Sequence, residues 1–114
     1  MEAGLMRLYV TMFVLVLWAV PACAESAESY FLSGDYVWDT CNATDTESQA
    51  HCQGVIMGLI DGLEFDARIC KPISTNAQQA RDVVLDHMQV NPKTRHFPAV
   101  ELTLLALNAA WPCP

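Results

Sequence analysis

The chain has 114 residues, 53% of them hydrophobic, with 13 acidic against 6 basic side chains and a formal net charge of −7 at neutral pH. That length allows one small domain with a thin core. The charge balance, with no Lys/Arg cluster, lacks the basic footprint that nucleic acid or an anionic membrane surface requires, and points instead to solubility or to a basic protein partner.

Residues 1–9 carry a single basic side chain, Arg7, and residues 10–20 are apolar apart from Thr11. Pro21 breaks the run, and Ala22-Cys23-Ala24 places small residues where signal peptidase needs them. The pattern predicts an export signal over 1–24, cleaved after Ala24, and a periplasmic location. The apolar stretch falls short of the roughly 20 residues of a membrane span. A lipoprotein reading, with Cys23 acylated, is disfavoured by Pro21 in the cleavage box. Residues 25–32 read as a leader, polar from 25 to 29, and residues 33–114 as the folded domain.

Ser33-Gly34-Asp35 resembles a helix start, and the helix it opens ends near Cys41. Residues 42–49 form a polar connection rich in Asp, Thr and Ser. Within it, Asn42-Ala43-Thr44 matches a glycosylation sequon, a motif common by chance.

A second helix is predicted over about 50–68. Cys52, Val55, Ile56, Leu59, Leu63 and Ala67 recur at spacings of three and four, as one buried helix face does. Gly54, Gly58 and Gly62 form another stripe at spacing four. A mid-helix glycine costs about 1 kcal/mol relative to alanine, so three in line call for a compensating close approach. Tight packing against a neighbouring helix of the same bundle is the favoured reading, and a seam between two copies the alternative. His51, Asp61, Glu64 and Asp66 interrupt the segment too often for a membrane span.

Lys71-Pro72 ends that helix. Ser74-Thr75-Asn76 can cap a third helix over about 77–90, with Ala80, Val83, Val84 and Met88 inward. Asn91-Pro92 stops it. Phe97-Pro98 begins a fourth, with proline expected at the first helical position. That segment is apolar on more than one side, which suits a bundle centre or an interface. Pro112 ends it beside Cys113. The fold class is all-α: a small disulfide-stapled helical bundle of about four helices.

Short connections make successive helices antiparallel. Cys41 and Cys52 then share one end of the bundle, and Cys70 and Cys113 the other. Cys52 and Cys70 stand up to about 27 Å apart along a helix, beyond the roughly 7 Å between α-carbons that a disulfide tolerates. The pairing expected is Cys41–Cys52 with Cys70–Cys113, two loops whose closure adds about 3 and about 4 kcal/mol in the chain-entropy model.

Catalytic and metal chemistry find little support. His51, Cys52, Cys70, His87 and His96 could be assembled into a zinc ligand set, but no Cys-x-x-Cys pair exists and an exported chain with paired cysteines favours disulfides. No metal, cofactor or nucleophile is assigned, and the chain is read as a non-enzyme. Asp61, Glu64 and Asp66 spread around a helix rather than oppose one another across a cleft. With Asp82 and Asp86, four apart on the third helix, they are candidates to face a basic partner.

The pattern His51-Cys52-Gln53-Gly54-Val55-Ile56-x-Gly58 with Asp61, then Ile69-Cys70-Lys71-Pro72, resembles the Rap/Tai immunity-protein family. So do Val90-Asn91-Pro92, Arg95-His96, Ala99, Ala106-Leu107 and the closing Ala110-Trp111-Pro112-Cys113. The resemblance covers about residues 33–113. It implies an exported, disulfide-bonded helical protein that binds and blocks a peptidoglycan amidase delivered by type VI secretion, and it implies a homodimer. These motif residues are mostly structural, and no toxin-contacting residue carries over with them. The second functional class is a periplasmic stress protein, similar in size, disulfides and compartment to the Hde-type acid chaperones. Such a protein would bind unfolded clients near pH 3, where an immunity protein binds one native enzyme at neutral pH.

Overall fold

The computed structural model describes residues 4–5 and 30–114. Apart from residues 4–5, the predicted signal, its cleavage after Ala24 and the Cys23 acylation site therefore lie outside the described residues, as does most of the leader. Four helices follow in order: α1 (Gly34–Asn42), α2 (Thr46–Phe65), α3 (Ala77–Val90) and α4 (Ala99–Ala110), with a 3-10 turn at Pro92–Thr94 between the last two. The fold is all-α. The described residues contain one isolated β-bridge, Ser33 to Pro98, and no strand.

Each helix start has a chemical cause. The Ser33 side chain accepts from the Tyr36 backbone N–H at 3.2 Å and opens α1. Asp45 does the same for α2, accepting from Ser48 N–H at 2.8 Å. The second helix thus begins at Thr46 rather than near residue 50, because the polar run holds the cap and a first turn whose residues need no apolar partner. α3 opens with a full capping box: Asn76 accepts from Gln79 N–H at 2.8 Å, and the Gln79 side chain accepts from Asn76 N–H at 3.0 Å. α4 has no side-chain cap. Pro98 sits one position before the helix rather than as its first residue. The Ala99 N–H donates instead to the Leu32 carbonyl at 2.9 Å. Leu32, in the segment read as leader, also packs on the core.

The end of α2 is a Schellman turn. Ala67 N–H donates to the Glu64 carbonyl at 2.9 Å and Arg68 N–H to the Leu63 carbonyl at 3.0 Å. Ala67 adopts φ 53°, the left-handed geometry usually left to glycine. It is exposed and closes α2 at Phe65, three residues before the expected end, instead of extending the buried face.

The core gathers Cys52, Ile56, Ile60 and Leu63 of α2 with Val37 and Cys41 of α1. Ala80, Val84 and Met88 of α3 meet Ala99, Leu102, Ala106 and Leu107 of α4 in the same cluster. Ile60 belongs there although the sequence periodicity passed over it, while Val55, Leu59 and Val83 are only half-buried. The one fully buried polar side chain among the described residues is Thr103, whose hydroxyl donates to the Ala99 carbonyl at 2.8 Å. Two disulfides close the bundle at the two ends of α2: Cys41–Cys52, α-carbons 5.0 Å apart, and Cys70–Cys113, 5.1 Å apart. This is the pairing that antiparallel topology requires.

Candidate partner-binding surface

α2 turns one face to the core and leaves the opposite one open. Gly54, Met57, Gly58, Asp61, Gly62 and Phe65 share one helix face, each within three or four residues of another, and all six are exposed. A β-carbon built at Gly54, Gly58 or Gly62 would meet nothing within 4 Å. The stripe therefore does not mediate close packing inside the bundle, contrary to the reading taken from sequence. Its physical reason is angular: at 100° per residue, Gly54, Gly58 and Gly62 lie away from Cys52, Ile56 and Leu63, which the core claims. Phe65 at the end of the stripe is 91% exposed, and Ile73, in the following loop, is fully exposed.

The five carboxylates singled out in the sequence are all exposed, and their surroundings differ. Glu64 pairs with Lys71 at 2.9 Å, the one ion pair among the described residues. Asp82 accepts from the Gln78 amide at 2.8 Å. Asp61, Asp66 and Asp86 make no side-chain hydrogen bond or ion pair there. Asp61, Glu64 and Asp66 also crowd the C-terminal end of α2, whose last turn contains no basic residue. Carboxylates at that end oppose the helix dipole. Lys71, from the loop beyond, pairs with one of them, Glu64, and Arg68 follows two residues after the cap.

Two concavities border this side of the molecule. One, of about 180 Å³, runs between α2 and the start of α3 and brings Met57 and Asp61 beside Lys71, Thr75 and Asn76. The other, of about 350 Å³, lies over the turn from α1 to α2, with Tyr36, Asp45, Glu47 and His51 on its walls. There the Tyr36 hydroxyl and His51 Nε2 are 3.0 Å apart and their rings meet edge to face. The Asp45 carboxyl is held below the ordinary carboxylate range by the backbone N–H of Ser48, then by the Ser48 hydroxyl. Lys71, Asn76 and Tyr36 escaped the sequence reading as surface residues. The Tyr36–His51 contact spans 15 positions with no local signal.

Several other polar groups are taken up by the fold. Arg95 lies 3.8 Å over the Trp38 ring and donates from Nε to the Met88 carbonyl at 2.8 Å, a cation at the end of α3. Arg81 donates to the Gln49 side chain, which in turn donates to the Cys41 carbonyl at 2.9 Å, tying α3 to the first disulfide. His96 stacks edge-on against Phe97, with ring centres 4.6 Å apart, just before α4. Among the described residues, no three His, Cys, Asp or Glu side chains are gathered as a metal ion would require. No helix there is long and apolar enough to cross a membrane.

The fold is thus a stapled all-α bundle that leaves one face of α2 open and several carboxylates without an ion pair among the described residues. The model of the Rap1a immunity proteins matches residues 24–113, and the chain belongs to that family. Comparison with curated proteins and with solved structures gives no significant match. Immunity proteins of this kind are generally non-catalytic and typically periplasmic, and their partner is a toxin protein.

Proposed function

We propose that this protein acts in the periplasm, after removal of residues 1–24, by binding a peptidoglycan amidase delivered by type VI secretion and covering its active site. Membership of the Rap1a immunity family carries this reading. The surface chemistry supports it. Asp66 stands at the unfavourable end of a helix dipole, a placement that costs stability, and neither it nor Asp61, a turn earlier, has an ion pair of its own, so both gain from a cationic partner. With Asp86 on α3 they would face basic groups around the amidase cleft, over an interface of about 800 Å² per partner.

The glycine stripe of α2 has a place in the same reading. Three glycines on an exposed helix face weaken the helix without helping the bundle. They allow the backbone of a second molecule to come close, and we assign the Gly54 and Gly58 end of the stripe to a homodimer seam, with Asp61 beyond it left for the toxin.

Mixing the oxidised mature domain with purified secreted amidases at neutral pH tests the proposal. Stoichiometric capture of one amidase, with loss of its peptidoglycan cleavage, is the expected result. Capture of none at neutral pH, together with binding of many unfolded proteins at about pH 3, would replace immunity with a chaperone role.

A further inference from the structure

We infer that the Cys70–Cys113 disulfide is a thiol-exchange site, open to a dithiol reductant while Cys41–Cys52 stays closed. The two bonds have opposite surroundings. Cys41 and Cys52 are 5% and 1% exposed and belong to the core cluster, under α1 and α2. Cys70 and Cys113 are both exposed and lie outside every helix. Thiol–disulfide exchange needs a thiolate to approach a sulfur directly, so access decides which bond reacts first. A buried bond reacts only when its surroundings open, and the helices around Cys52 are the part of the fold with the most to lose by opening.

The exchange is a two-electron reduction. One thiolate of the dithiol attacks Cys70 or Cys113 sulfur, the protein S–S bond breaks, and a mixed disulfide forms. The second thiol of the reductant then displaces the protein sulfur and leaves as its own disulfide. Cys70 and Cys113 end as two protonated thiols.

What the bond holds also differs. The α2–α3 loop is anchored independently by Ile69, 7% exposed in the core, and by Lys71 on Glu64. Residues 112–114 make no hydrogen bond among the described residues; the last backbone bond is Trp111 N–H to the Leu107 carbonyl. Opening this disulfide therefore frees the segment beyond Trp111 and removes one of the three anchors of the loop that supplies Lys71, Thr75 and Asn76 to the groove beside α2, while Ile69 and the Lys71–Glu64 pair keep the bundle folded. The site would make that groove responsive to the thiol state of its compartment.

Limited treatment of the oxidised protein with dithiothreitol, quenched by alkylation under native conditions and mapped by peptide mass, tests this. The expected species carries two alkyl groups, on Cys70 and Cys113, and forms at least about tenfold faster than any species labelled at Cys41 or Cys52. Hydrogen exchange on that species should show protection lost at the Trp111 amide and reduced at Thr75 and Asn76, with 34–52 unchanged. Labelling of Cys41, Cys52, Cys70 and Cys113 together, or of Cys41 and Cys52 first, overturns the inference. So does a doubly labelled species whose exchange pattern matches the oxidised protein.

Discussion

Gly34 sits against Leu102 so closely that a β-carbon on it would run into the leucine Cδ1 and into the Arg95 carbonyl. Its N–H donates to the Phe97 carbonyl at 2.8 Å, one of the bonds that dock the start of α1 on the turn into α4. The obstructing carbonyl is backbone, and Leu102 is 1% exposed, so neither neighbour gives way easily. Gly34→Ala should destabilise the domain by about 1–3 kcal/mol, as overpacking does, read as a lower denaturant midpoint at unchanged slope. A midpoint equal to that of the parent would mean the α1–α4 contact is looser than described.

The glycines of α2 predict the opposite sign. Gly58 has open space where a β-carbon would go and lies mid-helix. Gly58→Ala should stabilise the monomeric fold by about 0.5–1 kcal/mol through helix propensity alone. If the stripe is the homodimer seam, the same change should weaken self-association, so sedimentation at several concentrations separates the two effects. A variant neither more stable nor less associated would remove the case for the stripe in both roles.

Much of this fold can be read before the structure is known, and the failures have physical causes. α3 and α4 and both disulfides follow from apolar spacing, capping residues and antiparallel order, all local or nearly local signals. The start of α2 was hidden because Asp45 caps a first turn of polar residues, which in sequence look like a loop. The glycine stripe shows that small residues are in line but not which side of the helix the core occupies, so spacing alone favours an inward packing that the structure does not have. Gly34 gave no sign of its importance, since its crowding by Leu102 comes from a residue 68 positions away. The acidic residues of the surface were legible, but the Lys71 that pairs with Glu64 and lines the groove was not. It reaches them only because the chain reverses after Ala67.

Ala67 offers a second stabilising change. It holds φ 53° at the position after the α2 cap, where a β-carbon is strained by about 1–2 kcal/mol. The residue is exposed, so little packing is lost on removing its methyl group. Ala67→Gly should raise stability by about 1 kcal/mol, less whatever the freer unfolded chain takes back. Thermal melts of the pair would show it, and a drop in midpoint would argue against the Schellman geometry at this end.

Asp45 links the fold to pH. Its carboxyl is held below the ordinary range by Ser48, so it contributes stability that is fully present above about pH 4, the value of a carboxyl in the unfolded chain. That contribution fades as pH falls through the lower folded value. Asp45→Asn keeps an acceptor for the Ser48 N–H but no longer titrates. The parent should therefore lose stability relative to the variant as pH falls below about 4, and the two should run parallel at neutral pH. Parallel curves throughout the acid range would show that the cap does not depend on the charge.

Asp61 is the sharpest probe of the binding surface, because fold and function pull on it in opposite directions. It is exposed on the outer face of α2, without an ion pair, five residues before the helix cap. Replacing it by arginine puts a cation where the dipole is neutral to favourable, so stability should hold or rise by a few tenths of a kcal/mol. If the carboxylates meet a basic amidase, Asp61→Arg should weaken capture at least about tenfold, mainly by slowing association, and should flatten its dependence on salt. Asp86→Arg, one helix away on α3, tests how far the contact extends. Loss of affinity at Asp61 alone would confine the toxin to α2 and its groove, whereas loss at both would spread it across the two helices. Undiminished capture by both variants, at unchanged stability, would move the toxin site off the acidic side and leave these carboxylates as a solvated surface.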